Sequence, residues 1–263
     1  PEPNLLSQSK PVYQEEHSSK LFKYTDTNLS SMKTIQINKH NEREINSIDF
    51  FIDGNYLVTS SKDDSLCLYN IPKRELIKKL YNKTYGIENV IFSHNSQAVL
   101  CSSNKDFRIM YWNLHSNEII FSFLGHADLI TDLSINPKND TFLSTSRDKT
   151  SRLWDLSTRR CLAIFQDCNY SCFDNTGSVI ASVSSQSNGS NHLNLYSEKD
   201  YQNGPFNVFK IDANESVIKQ LKFTNDGLLI LCNTIDGFIL VVDSFEGIVV
   251  KKLSAEISFS DIL

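Results

Sequence analysis

From residue 45 onward the chain reads as short apolar runs separated by polar turns, with no apolar recurrence at helical spacing. Runs of four to eight residues bounded by Asn, Asp and Gly predict β-strands, so helix content should be very low. Three stretches share one layout: 61–70, 104–113 and 146–155. Each carries a basic residue, an Asp, then a strand ending in an aromatic and Asn or Asp. The aspartates are residues 63, 106 and 148, spaced 43 and 42. The aromatics Tyr69, Trp112 and Trp154 keep the same two intervals. Phe50, Phe92 and Ile135 close an earlier strand at intervals of 42 and 43. Two further repeats follow by strand pattern alone. The fourth has runs at 170–173, 179–183, 192–196 and 206–209, with a turn at Asp174–Gly177 and a polar loop at 186–191. The fifth has runs at 218–223, 228–232, 238–242 and 248–253, with turns at Asn225-Asp226-Gly227 and Asp236-Gly237.

A period near 42 with a Trp-Asp ending resembles the WD-repeat family, and the resemblance implies an all-β propeller of four-stranded antiparallel blades. Gly125-His126 and Trp154-Asp155 complete that family's pattern in the third repeat. The resemblance implies a buried hydrogen-bond chain of His126, Ser144 or Ser146, Asp148 and Trp154. A buried Asp needs donors, which an imidazole and a hydroxyl supply. The first two repeats lack the Gly-His pair, and His94 is a candidate displaced counterpart in the second.

The expected layout is an extension at 1–31, read as flexible, and a propeller at 32–263. Blades are expected at about 45–83, 86–125, 130–166, 170–211 and 217–254. A closing strand is expected at 32–38, and 255–263 reads as the start of a further, truncated blade. Five blades are recognisable, as part of a ring of seven by resemblance. An incomplete ring would leave blade faces open to self-association.

Composition narrows the chemistry. With 31 acidic and 26 basic residues the net charge is −5, so no global basic field argues for direct nucleic acid binding. No apolar run approaches the ~18 residues that cross a bilayer, and the opening ten residues show no secretory pattern. Cys67, Cys101, Cys161 and Cys232 sit in apolar runs and read as free core thiols of an intracellular protein. Sequons at Asn28, Asn82, Asn139, Asn169, Asn188 and Asn214 then read as chance matches. No nucleophile elbow, phosphate loop or metalloprotease motif occurs. Cys168 and Cys172 lack a second ligand pair for zinc, and Glu15-Glu16-His17 has no visible partner. No catalytic residue, metal, cofactor or small-molecule substrate is therefore expected. His126 reads as a structural bond rather than a general base.

One surface feature stands out. Lys62, Lys105 and Arg147 each precede a repeat Asp, which places three cations on one rim. They are candidates for docking an acidic or phosphorylated peptide, or they are solvated turn residues.

Several local stretches resemble a narrower branch of the family. They include residues 80–86, Phe92-Ser93-His94, 123–126, 136–144 and 148–156. Gly204-Pro205-Phe206, residues 221–227 and 243–247 extend the set. Together they are similar to the WD-repeat subunit shared by Set1-type (COMPASS) histone methyltransferase complexes and RNA 3′-end processing and termination machinery. That implies a non-catalytic nuclear adaptor whose partners are a methyltransferase subunit and RNA polymerase or termination-factor components. The alternatives are a generic scaffold, such as a ubiquitin-ligase substrate receptor or cytoplasmic assembly protein, and a propeller enzyme. The enzyme would need clustered carboxylates in the central channel, and the repeats show none at equivalent positions.

Overall fold

The computed structural model describes residues 31–185, 190–211 and 217–254. It divides into a unit at 1–39 and a larger unit at 40–263. Residues 1–30 of the expected flexible extension at 1–31, with Glu15-Glu16-His17, most of the 186–191 loop, the segment 255–263 and the sequons at Asn28, Asn188 and Asn214, lie outside the described residues.

The larger unit is built from five four-stranded antiparallel sheets, each in simple sequence order. Sheet one holds β1 (Ile45–Phe50), β2 (Tyr56–Ser61), β3 (Ser65–Asn70) and β4 (Glu75–Tyr81). Sheet two holds β5 (Val90–Phe92), β6 (Ala98–Ser102), β7 (Ile109–Asn113) and β8 (Glu118–Phe123). Sheet three holds β9 (Ile130–Ile135), β10 (Thr141–Ser146), β11 (Ser151–Asp155) and β12 (Arg160–Phe165). Sheet four holds β13 (Tyr170–Phe173), β14 (Val179–Ser185), β15 (Asn191–Ser197) and β16 (Asn207–Ile211). Sheet five holds β17 (Ile218–Phe223), β18 (Leu229–Thr234), β19 (Phe238–Asp243) and β20 (Val249–Ser254). The one helical element among the described residues is a 3-10 turn, Tyr201–Asn203.

The first strand of each sheet packs on the first strand of the next, from β1 through β5, β9 and β13 to β17. The sheets are therefore propeller blades, with their first strands innermost. β1 and β17, at the two ends of this row, do not pack on each other as consecutive strands do. In blades three and five the fourth strand is the most exposed, as an outermost strand should be.

Each core cluster lies between two blades rather than inside one. Val58, Leu66 and Leu68 of the first blade pack with Val90, Phe92 and Trp112 of the second. Leu100 and Phe123 meet Ile130, Phe142 and Trp154. Leu143 and Leu153 meet Phe173 and Ile180, and Leu193 and Leu195 meet Leu221, Phe223 and Ile230. Apolar burial between blades is thus the main stabilising term.

The backbone repeats with the sequence. Asp64, Phe107 and Lys149 each follow a repeat Asp and adopt φ of 61°, 60° and 61°. Arg74, Asn117 and Arg159, again spaced 43 and 42, adopt φ of 56°, 60° and 60° in the turn before the fourth strand. Among the described residues, six of the seven non-glycine residues in this sparsely allowed region fall in two periodic columns, which marks one turn geometry repeated through the first three blades.

Two expectations are corrected. The segment 32–38 forms no strand, and Met32, Ile35 and Ile37 are exposed. A strand needs a ladder partner, and none of the five sheets includes this segment. Cys161 is exposed rather than a core thiol, because it lies on the outermost strand β12. The other five cysteines are buried, and all six are free.

Candidate functional site

The third blade contains a continuous chain of donors and acceptors. The Trp154 indole N–H donates to Ser144 Oγ at 2.8 Å. The Ser144 hydroxyl meets His126 Nε2 at 2.7 Å, and His126 Nδ1 meets Asp148 Oδ2 at 2.9 Å. One direction satisfies every member: Trp154 to Ser144 to a neutral His126 to Asp148. Burial holds the His126 ring below its ordinary pKa despite Asp148 beside it. Burial alone would raise the Asp148 carboxyl, but the Thr150 hydroxyl, the Ala127 N–H and His126 hold it down at about 2. Ser146 stands apart from this chain. Its hydroxyl donates to Asp128 O at 2.9 Å and accepts the Asp148 N–H at 3.2 Å, shaping the turn.

Ser144, His126 and Asp148 have the order of a nucleophile, base and orienting acid. No substrate can use them, because Ser144 is 0 % exposed and its oxygen already accepts the Trp154 N–H. The constellation fixes the loop before β9 to the β10–β11 turn and to the core aromatic.

The other blades vary this plan. The pairs Leu57↔Tyr69, Val99↔Trp112 and Phe142↔Trp154 are equivalent in register. Two residues on from Leu57, Val99 and Phe142 are Thr59, Cys101 and Ser144. Cys101 places a thiol where the third blade has a hydroxyl. In the first blade Asn41 takes the place of His126: its side-chain amide donates to Ser65 Oγ at 3.2 Å, while the Glu42 N–H donates to Asp63 Oδ2 at 3.1 Å. His40 then stands where the third blade has Gly125, and Cys67 where it has Arg152. A Cβ on Gly125 would lie 2.4 Å from Arg152 Nη1, whereas the His40 ring in the first blade lies 5.7 Å from Tyr69, the counterpart of Trp154. His94 is not a counterpart of His126. It sits in the β5–β6 turn, where its Nε2 meets Asn139 O at 2.9 Å. That turn is at the opposite end of the blade from the loop that carries His126.

The three rim cations occupy equivalent β2–β3, β6–β7 and β10–β11 turns, but two are already paired. Lys62 bonds Glu44, and Lys105 lies 3.2 Å from Asp64 of the preceding blade. Arg147 is exposed. Pairs this exposed add little stability.

A cavity of about 270 Å³ lies at the innermost strands, lined by Asp49, Asp132, Cys172 and Lys222 among others. Sequence reasoning missed its two carboxylates, because Asp49 and Asp132 come from non-equivalent repeat positions. Burial raises the Asp132 carboxyl to about 7, with Lys222 opposing. Asp49 is also raised by burial, and its Oδ2 accepts the Phe92 N–H at 2.8 Å. Among the described residues no group of three or more His, Cys, Asp or Glu is placed to hold a metal ion. Cys168 and Cys172 are buried thiols raised to about 12 and beyond it. Among the described residues no helix is long and apolar enough to cross a membrane.

The sequence profile of the "WD domain, G-beta repeat" family matches residues 31–70 and 117–155. WD repeat-containing protein 82 of Drosophila melanogaster is 35% identical over 230 residues, covering 86% of this chain and 71% of that protein. COMPASS component SWD2 of Saccharomyces cerevisiae is 34% identical over 227 residues, 84% of this chain and 68% of that protein. Set1 complex component swd2 of Schizosaccharomyces pombe is 30% identical over 220 residues, 82% and 61%. The chain thus spans roughly two thirds of the length of these relatives. Five four-stranded blades, a 42–43-residue repeat and identity at this level over most of the chain place it in the WD-repeat propeller family that includes WD repeat-containing protein 82 and COMPASS component SWD2.

Proposed function

We propose that this chain is a non-catalytic adaptor, a subunit of a Set1-type histone methyltransferase complex. The observation that carries the reading is its likeness, over 84% and 82% of its length, to two proteins named as COMPASS and Set1 complex components. The molecule is suited to that task. Its polar Ser-His-Asp chain is sealed in the core, and what faces solvent is rims, turns and strand edges. Propellers host many functions, so architecture alone would not select this one.

The finer reading follows the resemblance. The protein acts in the nucleus and couples the methyltransferase to RNA polymerase and to termination or 3′-end processing factors. The rim contributes where cations are available. An acidic or phosphorylated segment meets Arg147 directly but must displace Glu44 and Asp64 to reach Lys62 and Lys105. Quantitative mass spectrometry of partners purified from nuclear extract tests this. Recovery of a methyltransferase with termination factors is expected. Recovery of ubiquitin-ligase subunits without a methyltransferase would sink it.

A further inference from the structure

We propose that the groove between the fourth and fifth blades docks an extended protein segment carrying large apolar side chains next to Lys or Arg. The proposal rests on the adaptor reading and gives it a surface. The groove holds about 280 Å³ and is lined by Val179, Leu195, Phe223, Phe206 and Phe245, with Asp174 and Asp226 at its edges.

Three features make it a built site. Its floor is rigid: Val179, Leu195 and Phe223 belong to the cluster that cements the two blades. The turns beside it are tied together, since the Asn175 amide donates to Thr224 O at 2.8 Å and Ser244 Oγ to Gly227 O at 2.8 Å. Its walls, in contrast, stand largely in solvent: Phe206 is 55% exposed and Phe245 69%. Two aromatic rings left in water beside an apolar floor are the usual anchors of an interface.

Charge selects the occupant. The charged residues lining the groove are both acidic. The Asp226 carboxyl accepts the Thr224 hydroxyl and the Leu228 N–H at 3.0 Å, which keeps it aimed and ionised. A volume of this size takes one or two large side chains rather than a folded element. A flanking cation would meet the exposed Asp226 carboxylate, since the buried Asp174 carboxylate is saturated by Thr176, Ser178 and Val179, and its apolar neighbour would fill the space between the rings.

The test uses the purified full chain and labelled twelve-residue peptides in a Gly/Ser frame, read by fluorescence anisotropy. The probes carry Leu-Phe-Lys-Arg, Leu-Phe-Glu-Glu or Ala-Ala-Lys-Arg. The first should bind at least tenfold more tightly than either of the others. Phe206→Ala with Phe245→Ala should weaken it at least tenfold, with melting checked by circular dichroism. Asp226→Asn, which keeps the acceptor and removes the charge, should narrow the preference for the basic over the acidic probe. Equal binding of the three probes, or unchanged binding by the double variant, overturns the proposal. Co-purification of a methyltransferase by the wild-type chain judges the adaptor reading separately, so the two can fail independently.

Discussion

Replacing Ser144 with Ala removes one oxygen and breaks two bonds at once. The Trp154 indole N–H, on a residue 3% exposed, loses its acceptor at 2.8 Å. His126 Nε2 loses its partner at 2.7 Å, and turning the ring to compensate would break the bond to Asp148. Each buried polar group left without a partner costs about 1–3 kcal/mol, so the variant should lose about 2–5 kcal/mol. For a domain of this size that lowers the melting temperature by roughly 5–15 °C. Thr59→Val is the matched control. Thr59 holds the equivalent position in the first blade and is also buried, but its hydroxyl has only the Tyr69 hydroxyl beside it, with no histidine or indole in the chain. Removing it should change stability by less than about 1 kcal/mol. Urea unfolding followed by circular dichroism and by tryptophan fluorescence compares the two. Equal effects, or a Ser144→Ala loss below about 1 kcal/mol, would refute the reasoning.

Other outcomes follow from the same geometry. Asp132→Asn should stabilise the protein at pH 8 by at least about 1 kcal/mol and little at pH 4. A carboxyl raised to about 7 in the folded state holds a proton that the unfolded chain releases near pH 4, so it opposes folding increasingly as pH rises through that window. Asp63 and Asp148, both held at about 2, act in the opposite sense: their stabilisation is complete above about pH 4 and is lost as pH falls toward 2. Acid titration of the double variant Asp63→Asn, Asp148→Asn should show a flatter loss below pH 4 than wild type. Gly125→Ala should cost no more than about 1 kcal/mol in urea unfolding, because the Arg152 guanidinium 2.4 Å away can swing aside and only the Trp154 ring at 3.2 Å must give slightly. Ala at Lys62, Lys105 and Arg147 together should leave the melting temperature nearly unchanged, since two of the three form exposed ion pairs, while weakening capture of an acidic partner peptide.

The fold class was legible because the repeat writes the same alternation and the same turn chemistry into each blade. Even the fourth and fifth blades, which lack Trp-Asp endings, show their strands through apolar runs punctuated by Asp174–Gly177 and Asn225-Asp226-Gly227. What stayed hidden depends on contacts between repeats. Asn41 could not be recognised in the place of His126, because only register and the Glu42–Asp63 bond align the two loops. The pairing of Lys105 with Asp64 joins residues 41 apart in sequence. Asp49 and Asp132 share a cavity although they differ in repeat position, since that cavity is lined by β1, β9, β13 and β17 together. The groove of Phe206 and Phe245 was invisible for the same reason: its walls come from two blades.

The adaptor reading rests on a division of labour, in which the chain supplies a surface and a partner supplies chemistry. A histone methyltransferase assay tests it most directly, run on the purified chain alone and on the complex captured with it from nuclear extract. The account predicts lysine methylation by the captured complex and none by the chain alone. A captured complex with no methyltransferase activity, or activity residing in the isolated chain, would contradict it.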